Sequence, residues 1–477
     1  MELGPVVVLG ALVAGIVAGE RSGVAAANGA LIVGAGALGA AWFTRPPLRG
    51  VIAALACALL GYAAMGRALD GQAHSPLQTA IDRRAATTVR GEATSDPDGP
   101  TFEASVLVRV DTGHGSHRTL LARASGDDVA ALRVIEAGDH VVLEGRLAPL
   151  GGGFDGQARW RHAVGALDEA QVVELSSPRG LLAVANSIRS VILRGTRSLA
   201  PTPRALVAGF LLGDTRGIPT PVINAYRDSG LSHLLAVSGE NVAFVMALAA
   251  PLLRRLRLGP RTAIALGIVV VFAAMTRFEP SVLRASAMAA IALLAALGGR
   301  PASNLRVLAY AVIVLLLADP FLVHSVAFAL SCGASAGIAV FSRPIGARLP
   351  GPRALREPLG VSIAAQLGVF PVLLWVFGTF PLITPVSNLA AAPAAQVLGV
   401  YGFLASAVAG VVPQLGPLLQ QPSALLVAWI TAVARVGAAV PFRLDGRGAL
   451  GVTSLLAAGA AVACLVRVPG FSPRARR

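Results

Sequence analysis

Apolar runs of 15–20 residues fill two stretches of the chain, from Met1 to Arg67 and from about Leu231 to Val466, with a long polar segment between them. Each run is close to the length an α-helix needs to cross a hydrocarbon core of ~30 Å. The opening runs fall at about 4–19, 24–42 and 51–66. Later runs lie near 234–252, 262–276, 281–298, 305–318, 321–341, 359–378, 383–412, 422–440 and 449–466. The pattern predicts about 12 spans, with 9 to 12 as bounds. Two runs set that range: 262–276 is short, and 383–412 is long and broken by Pro385 and Pro393.

The polar segment changes period. Val89–Ala93, Glu103–Val110 and His140–Leu147 alternate β-branched and polar residues, and Pro97-Asp-Gly-Pro100 and Ala137-Gly-Asp139 punctuate them. Short strands with such turns predict a small β-barrel, and an OB-like barrel fits the length. Beyond it, Asn186, Ser187, Arg189, Ser190, Arg194 and Arg197 share one arc of a helix over Leu181–Leu199. That predicts a helix in the membrane interface with its arginines toward lipid phosphates. Pro203–Gly213 is apolar but too short to cross, and reads as a re-entrant or interfacial helix.

The expected organisation is therefore a polytopic α-helical membrane protein with a small extracytoplasmic all-β OB-like domain. Its parts are N-terminal spans over 1–68, the OB-like domain over 69–178, interfacial or re-entrant helices over 179–230, a transmembrane domain over 231–468 and a basic tail over 469–477. Composition agrees, because 14% charged residues and a mean hydropathy of +0.69 leave too little charge to cover a water-facing surface. The first run has no basic segment before it, so it is not read as a cleavable signal peptide.

Charge supplies the orientation. Every basic residue apart from histidine is Arg, and the formal net charge is +15. Residues 70–180 hold 11 Arg against 16 acids, so the excess of positive charge lies in the apolar part. The arginines cluster in short loops: Arg45 and Arg49; Arg254, Arg255, Arg257 and Arg261; Arg300 and Arg306; Arg343, Arg348, Arg353 and Arg356; and the tail from Arg467. Placing them in the cytoplasm puts the β-domain outside and the C-terminus inside a cell (plasma or inner) membrane. Cys57, Cys332 and Cys464 sit apart within apolar runs and imply no disulfide framework.

Polar groups at membrane depth mark candidate sites, since each costs about 2.5–3.5 kcal/mol on insertion scales. The densest cluster is Asp214, Arg216, Asp228, His233, Ser238, Glu240 and Asn241; a second is Arg277, Glu279 and Arg284 around Pro280. Ser238-Gly239 can break a helix and free backbone groups to line a pathway. Gln366, Asn388 and Gln396 read as helix–helix hydrogen bonders. His114 and His117 have no neighbours to complete a metal site, and no metal, cofactor, nucleophile or nucleotide-hydrolysing motif is expected. Gly34, Gly36 and Gly39 read as close-packing positions, not a phosphate loop.

The segment Gly230-Leu-Ser-His-Leu-Leu-Ala-Val-Ser-Gly-Glu-Asn-Val242 resembles the signature of the ComEC family of competence proteins. Leu212-Gly-Asp214, Pro280-Ser-Val-Leu-Arg-Ala285, Ala318-Asp-Pro-Phe321 and Phe328-Ala-Leu-Ser331 match in order. Gly152–Asp155 and Trp160–Gly165 resemble the end of that family's OB-like domain. Many members carry His at the position of Asn241. The resemblance implies an inner-membrane channel for single-stranded DNA during natural transformation. It also implies a cytoplasmic helicase or DNA-binding proteins to pull the strand, a DNA receptor and a separate nuclease. Many members end in a metallo-β-lactamase-like domain, whereas this sequence ends at Arg477 without a His-x-His-x-Asp-His motif. No enzymatic activity is expected of it.

On this reading Asp214, Arg216, His233, Ser238, Glu240, Asn241, Arg277, Glu279 and Arg284 mark the translocation pathway, with Arg216, Arg277 and Arg284 offering weak phosphate contacts in series. Phe102, Phe154 and Trp160, the aromatics of the OB-like segment, read as core and not as stacking platforms. Two other functions fit the residues: a proton-coupled transporter of a small anion using Asp214, Asp228, His233 and Glu240, and a scaffold of an uptake complex.

Overall fold

The computed structural model describes residues 4–22, 27–45, 48–99, 102–111, 117–152, 154–300, 302–440 and 443–445, and the expected run at 449–466 lies outside them. The chain forms two compact units: residues 1–192 with 245–325, and residues 193–244 with 326–477.

Three helices open the first unit, α1 (Gly4–Ser22), α2 (Ala27–Trp42) and α3 (Leu48–Ala73). α1 and α3 touch through backbone. A Cβ on Gly15 would strike the Ala58 carbonyl, and one on Gly61 would come within 2.5 Å of the Leu12 carbonyl oxygen. Small residues let helices approach this closely where lipid offers no hydrophobic drive for association. Gly34 packs against α3 in the same way, but Gly36 and Gly39 face open space, so only part of that glycine run serves close packing. α3 also runs past residue 68, where the sequence placed the last boundary of the spans.

A short helix, α4 (Gln78–Asp82), leads into the barrel: β1 (Ala86–Ala93), β2 (Glu103–Asp111), β3 (His117–Ser125), α5 (Val129–Leu132), β4 (His140–Ala148), α6 (Phe154–Arg159) and β5 (Ala163–Ser176). The strands close in the order β1-β2-β3-β5-β4, with β1 paired to β4 and β3 parallel to β5. This is the small OB-like barrel expected. Val106, Val108 and Val110 alternate into its core with Leu120, Leu143 and Leu167, and Ile81 of α4 packs into the same core. A second small core under α6 buries Leu107, Leu121 and Ala158. Phe102 does not join either: its ring is 69% exposed, on the short turn before β2, contrary to the expectation of a core residue.

α7 (Gly180–Gly195) follows the barrel, and then α8 (Pro201–Leu212), α9 (Thr220–Asp228), α10 (Ser232–Leu235) and α11 (Gly239–Leu253). α12 (Leu258–Met275), α13 (Pro280–Leu297) and α14 (Asn304–Ala318) return to the first unit. The second unit continues with α15 (Val326–Arg348), α16 (Arg353–Phe377), α17 (Thr384–Val411), α18 (Gly416–Leu419) and α19 (Gln421–Ala438). The run over 383–412 is a single helix despite Pro385 and Pro393: the first proline falls in the opening turn, where its missing N–H costs nothing.

Among the described residues, seven helices are long and apolar enough to cross a membrane: α1, α3, α12, α13, α15, α16 and α17. An eighth candidate is α19 with the short helical turns before it, bent by 44°, and α2, α11 and α14 are shorter apolar helices. They leave large apolar side chains uncovered, among them Ile32, Trp375, Leu425 and Val436, as lipid-facing surfaces do.

In the second unit α15 and α16 pair as α1 and α3 do. A Cβ on Gly333 would lie 2.5 Å from the Gly368 carbonyl oxygen, and Gly337, Gly360 and Gly368 are equally crowded. Asn388 of α17 donates to the Ser362 hydroxyl of α16 at 3.1 Å, the interhelical bond expected of it. A Gly368→Val substitution should force the two helices apart and cost about 1–3 kcal/mol. Thermal unfolding in detergent should show a clear drop in midpoint for Gly368→Val and none for Gly36→Val.

Candidate functional site

The candidate residues fall in two groups, one in each unit. Asp214, Arg216, His233, Ser238, Glu240 and Asn241 lie in the second, on a backbone that is helical only in pieces. α8 starts on Pro201 and ends at Gly213, whose φ of +73° is left-handed and whose N–H returns to the Gly209 carbonyl at 2.9 Å. Only glycine fits there, because a Cβ would also sit 2.5 Å from the Val237 side chain. α9 ends the same way at Gly230, φ +76°, with the Leu231 N–H reaching back to the Tyr226 carbonyl at 2.7 Å. A Cβ at Gly230 would strike the buried Thr384 hydroxyl at the start of α17.

Two motifs meet at this break. Asn241 is buried in the first turn of α11, and its amide nitrogen donates to the Phe210 carbonyl at 2.8 Å. That carbonyl is one of the last four in α8, which have no partner within their own helix. Ser238 caps α11, accepting the Glu240 N–H on its hydroxyl at 3.2 Å. The Leu212-Gly-Asp and Ser-Gly-Glu-Asn segments thus hold each other in place. Glu240 is exposed beside this joint, as is His233, 3.2 Å from the Gly230 carbonyl, whereas the Asp214 side chain is mostly covered. Arg216 makes a two-pronged pair with Asp214 at 2.8 and 2.7 Å.

Arg277, Glu279 and Arg284 lie in the first unit, at the corner between α12 and α13. Arg277 and Phe278 both have left-handed φ, +58° and +53°. Each such residue costs on the order of 1–3 kcal/mol, so the surroundings must hold the corner in place. They do so electrostatically. Asp96, in the β1–β2 connection, lies 2.8 Å from Arg277 Nε and 3.1 Å from an Arg189 nitrogen of α7. Glu136 lies 3.8 Å from Arg277 on its other side. Asn186 of α7 accepts from Arg277 and donates to the Ala137 carbonyl at 3.1 Å, and Arg189 donates to the Met275 carbonyl at 3.1 Å.

Two expectations change here. The guanidinium of Arg277, expected to meet a phosphate, is 9% exposed and is engaged by carboxylates of the barrel. α7 has the predicted polar arc, but Asn186 and Arg189 turn inward to the barrel and the α12–α13 corner, while Leu181, Val184 and Ile188 are exposed. The reason is Asp96, a buried acid that demands cationic partners. Arg284 is also mostly buried, one turn into α13, with a nitrogen 3.1 Å from Met288 Sδ; Glu279 is exposed just before Pro280.

The remaining motifs also pair. Trp160 stacks on His324 at 3.7 Å and meets the Phe321 ring edge-on at 5.6 Å, while His162 lies 3.2 Å from Asp319. The end of the barrel domain therefore docks on the turn after α14. Trp160 is a docking residue, and the side chain of Phe154 lies outside the described residues. His114 lies outside them too.

Burial would raise the Asp96 carboxyl, but Arg189 and Arg277 outweigh it and hold it below its ordinary 3.8. Glu136 moves up from 4.5, through burial and then the nearby charge of Asp96 against the pull of Arg277. Asp139 moves up through burial. The signs differ. Asp96 adds stability above 3.8 that is lost as pH falls through its depressed folded value. Glu136 and Asp139 favour the fold when protonated, and that gain fades as pH rises through their raised values. Asp96→Ala should destabilise the barrel's attachment by about 3–5 kcal/mol by stranding two buried guanidiniums. It should also flatten the acid loss below pH 3.8, both read from unfolding at several pH values. Asn241→Leu should cost about 1–3 kcal/mol by orphaning the Phe210 carbonyl, read as a lower unfolding midpoint.

Comparison with known proteins places these motifs in context. The family model described as "Competence protein" matches residues 210–471. ComE operon protein 3 of Bacillus subtilis (strain 168) is 28% identical over 326 residues, 64% of this chain and 40% of that protein. The uncharacterized protein YcaI of Escherichia coli (strain K12) is 29% identical over 287 residues, 56% of this chain and 36% of that protein. The chain thus matches about two fifths of the length of these relatives. No solved structure matches it. The family match takes in more than half the chain and, with the apolar helices, makes it a multi-pass membrane protein of the ComEC competence family.

Proposed function

We propose that this chain is the inner-membrane route by which a single strand of DNA passes inward during natural transformation, with the barrel outside and the C-terminus in the cytoplasm. The observation that carries this reading is the broken α8–α11 segment within the family match, where Asp214, Arg216, His233 and Glu240 stand on interrupted backbone between apolar helices. Non-helical backbone at membrane depth is tolerated only inside protein or beside a hydrated cavity.

The pairing of Arg216 with Asp214 suits a transit site. A passing phosphate must compete with the carboxylate for the guanidinium fork, so the contact is weak and reversible. Arg284, mostly buried one turn into α13 beside Met288, is the second arginine proposed to meet the strand, while Arg277 is held by Asp96 of the barrel and is not one. Passage on this reading uses confinement and electrostatics without covalent chemistry. A cytoplasmic helicase or DNA-binding protein supplies the force, and an external receptor and a separate nuclease prepare the strand. The Arg clusters of the short loops support this orientation.

The test is transformation by added DNA in cells whose chromosomal copy is replaced. Deletion should abolish transformants. Arg216→Glu and Arg284→Glu, present at normal levels in the membrane, should each lower them by about tenfold or more, the scale of a lost charge-assisted contact. Normal transformability of the deletion strain would refute the proposal.

A further inference from the structure

Within the first unit a cavity of about 710 Å³ opens where α2 and α3 meet the barrel and the end of α14. Its walls are of two kinds. Leu31 of α2, Leu60 and Ala64 of α3 and Leu317 of α14 form an apolar side, all on helices apolar enough to lie in a bilayer. Arg67 at the end of α3, with Arg109, Arg118, Arg161, His117 and His162 from the barrel domain, forms a basic side. No acid lines it among the described residues.

The basic groups are unequally satisfied. Arg109 pairs with Glu92, His162 lies beside Asp319, and Arg161 feels the charge of Glu279. Arg67 and Arg118 have no ion-pair partner among the described residues, and the Nε of Arg118 is buried with its hydrogen bond unmade. A buried donor without a partner is costly, about 1–3 kcal/mol, and marks a place for an acceptor. Arg118 reaches toward α3: its Nη1 would stand 3.6 Å from a Cβ placed on Gly71. The unmet charge therefore sits beside the apolar wall, near the C-terminal end of α3.

We propose that this cavity binds an anionic phospholipid. Its phosphate would lie between Arg67 and Arg118, and the start of an acyl chain would lie along Leu31, Leu60 and Leu317. Arg binds phosphate through paired N–H groups, and basic pockets among membrane helices hold anionic headgroups. A nucleic acid strand has the same phosphates but no use for the apolar wall, which is why the lipid is favoured. Such a lipid would seal the joint between α2, α3 and the barrel.

The experiment uses the full chain purified in detergent and incubated with phosphatidylglycerol or phosphatidylcholine, with retained lipid counted by native mass spectrometry. Phosphatidylglycerol should be retained and phosphatidylcholine should not. The double variant Arg67→Gln/Arg118→Gln should weaken retention by about tenfold, whereas Arg255→Gln, in a loop outside the cavity, should leave it unchanged. Ala68→Glu, which puts an acid on the wall without removing an arginine, should act like the double variant and covers the case in which that variant fails to fold. Equal retention of both lipids, or retention indifferent to these substitutions, would overturn the proposal. So would binding of a labelled oligothymidylate that is lost with the double variant while lipid retention is kept; the cavity would then read a strand.

Discussion

A single buried carboxylate organises the way the barrel joins its helices. Asp96 is 14% exposed and takes both Arg189 of α7 and Arg277 of the α12–α13 corner. Each guanidinium would be costly to bury alone, and so would the carboxylate. Together they fix three segments far apart in sequence and hold two residues in left-handed backbone. The stacking of Trp160 on His324 adds a second attachment, so the barrel is docked through a charge cluster and an aromatic one.

The helices are held by a different force. Where lipid surrounds them, close backbone contact at Gly15, Gly61, Gly333 and Gly368 replaces hydrophobic burial as the source of specificity. The signature segment combines both principles. Gly213 and Gly230 end helices where nothing larger fits, and Asn241 satisfies a carbonyl that the break exposes. The motif residues are thereby divided by role. Glycine, Ser238 and Asn241 build the break, while Asp214 pairs with Arg216, and His233 and Glu240 lie exposed beside it.

Much of this was legible in the sequence, for stated reasons. Long apolar runs locate helices because length and hydropathy are local properties, and β1, β2 and β4 announced themselves by alternation. β3 and β5 did not. Leu120, Leu121 and Ala122 are consecutive and all buried, because β3 is covered on both faces, and β5 is rich in alanine and acids. The polar face of α7 was visible but not its direction, since its partner Asp96 lies about ninety residues earlier. For the same reason Arg277 looked like an unattached cation. Spacing reveals which residues share a face; it does not reveal what that face meets.

The central claim is that a DNA strand passes the broken segment between α8 and α11. The most direct measurement is photo-crosslinking during uptake, with a photoreactive amino acid at Glu240 in one strain and at Trp375, exposed on an apolar helix, in another. The account predicts that labelled incoming single strand is captured from the Glu240 position and not from Trp375. Capture from neither position, or equally from both, in cells that still take up DNA would contradict it.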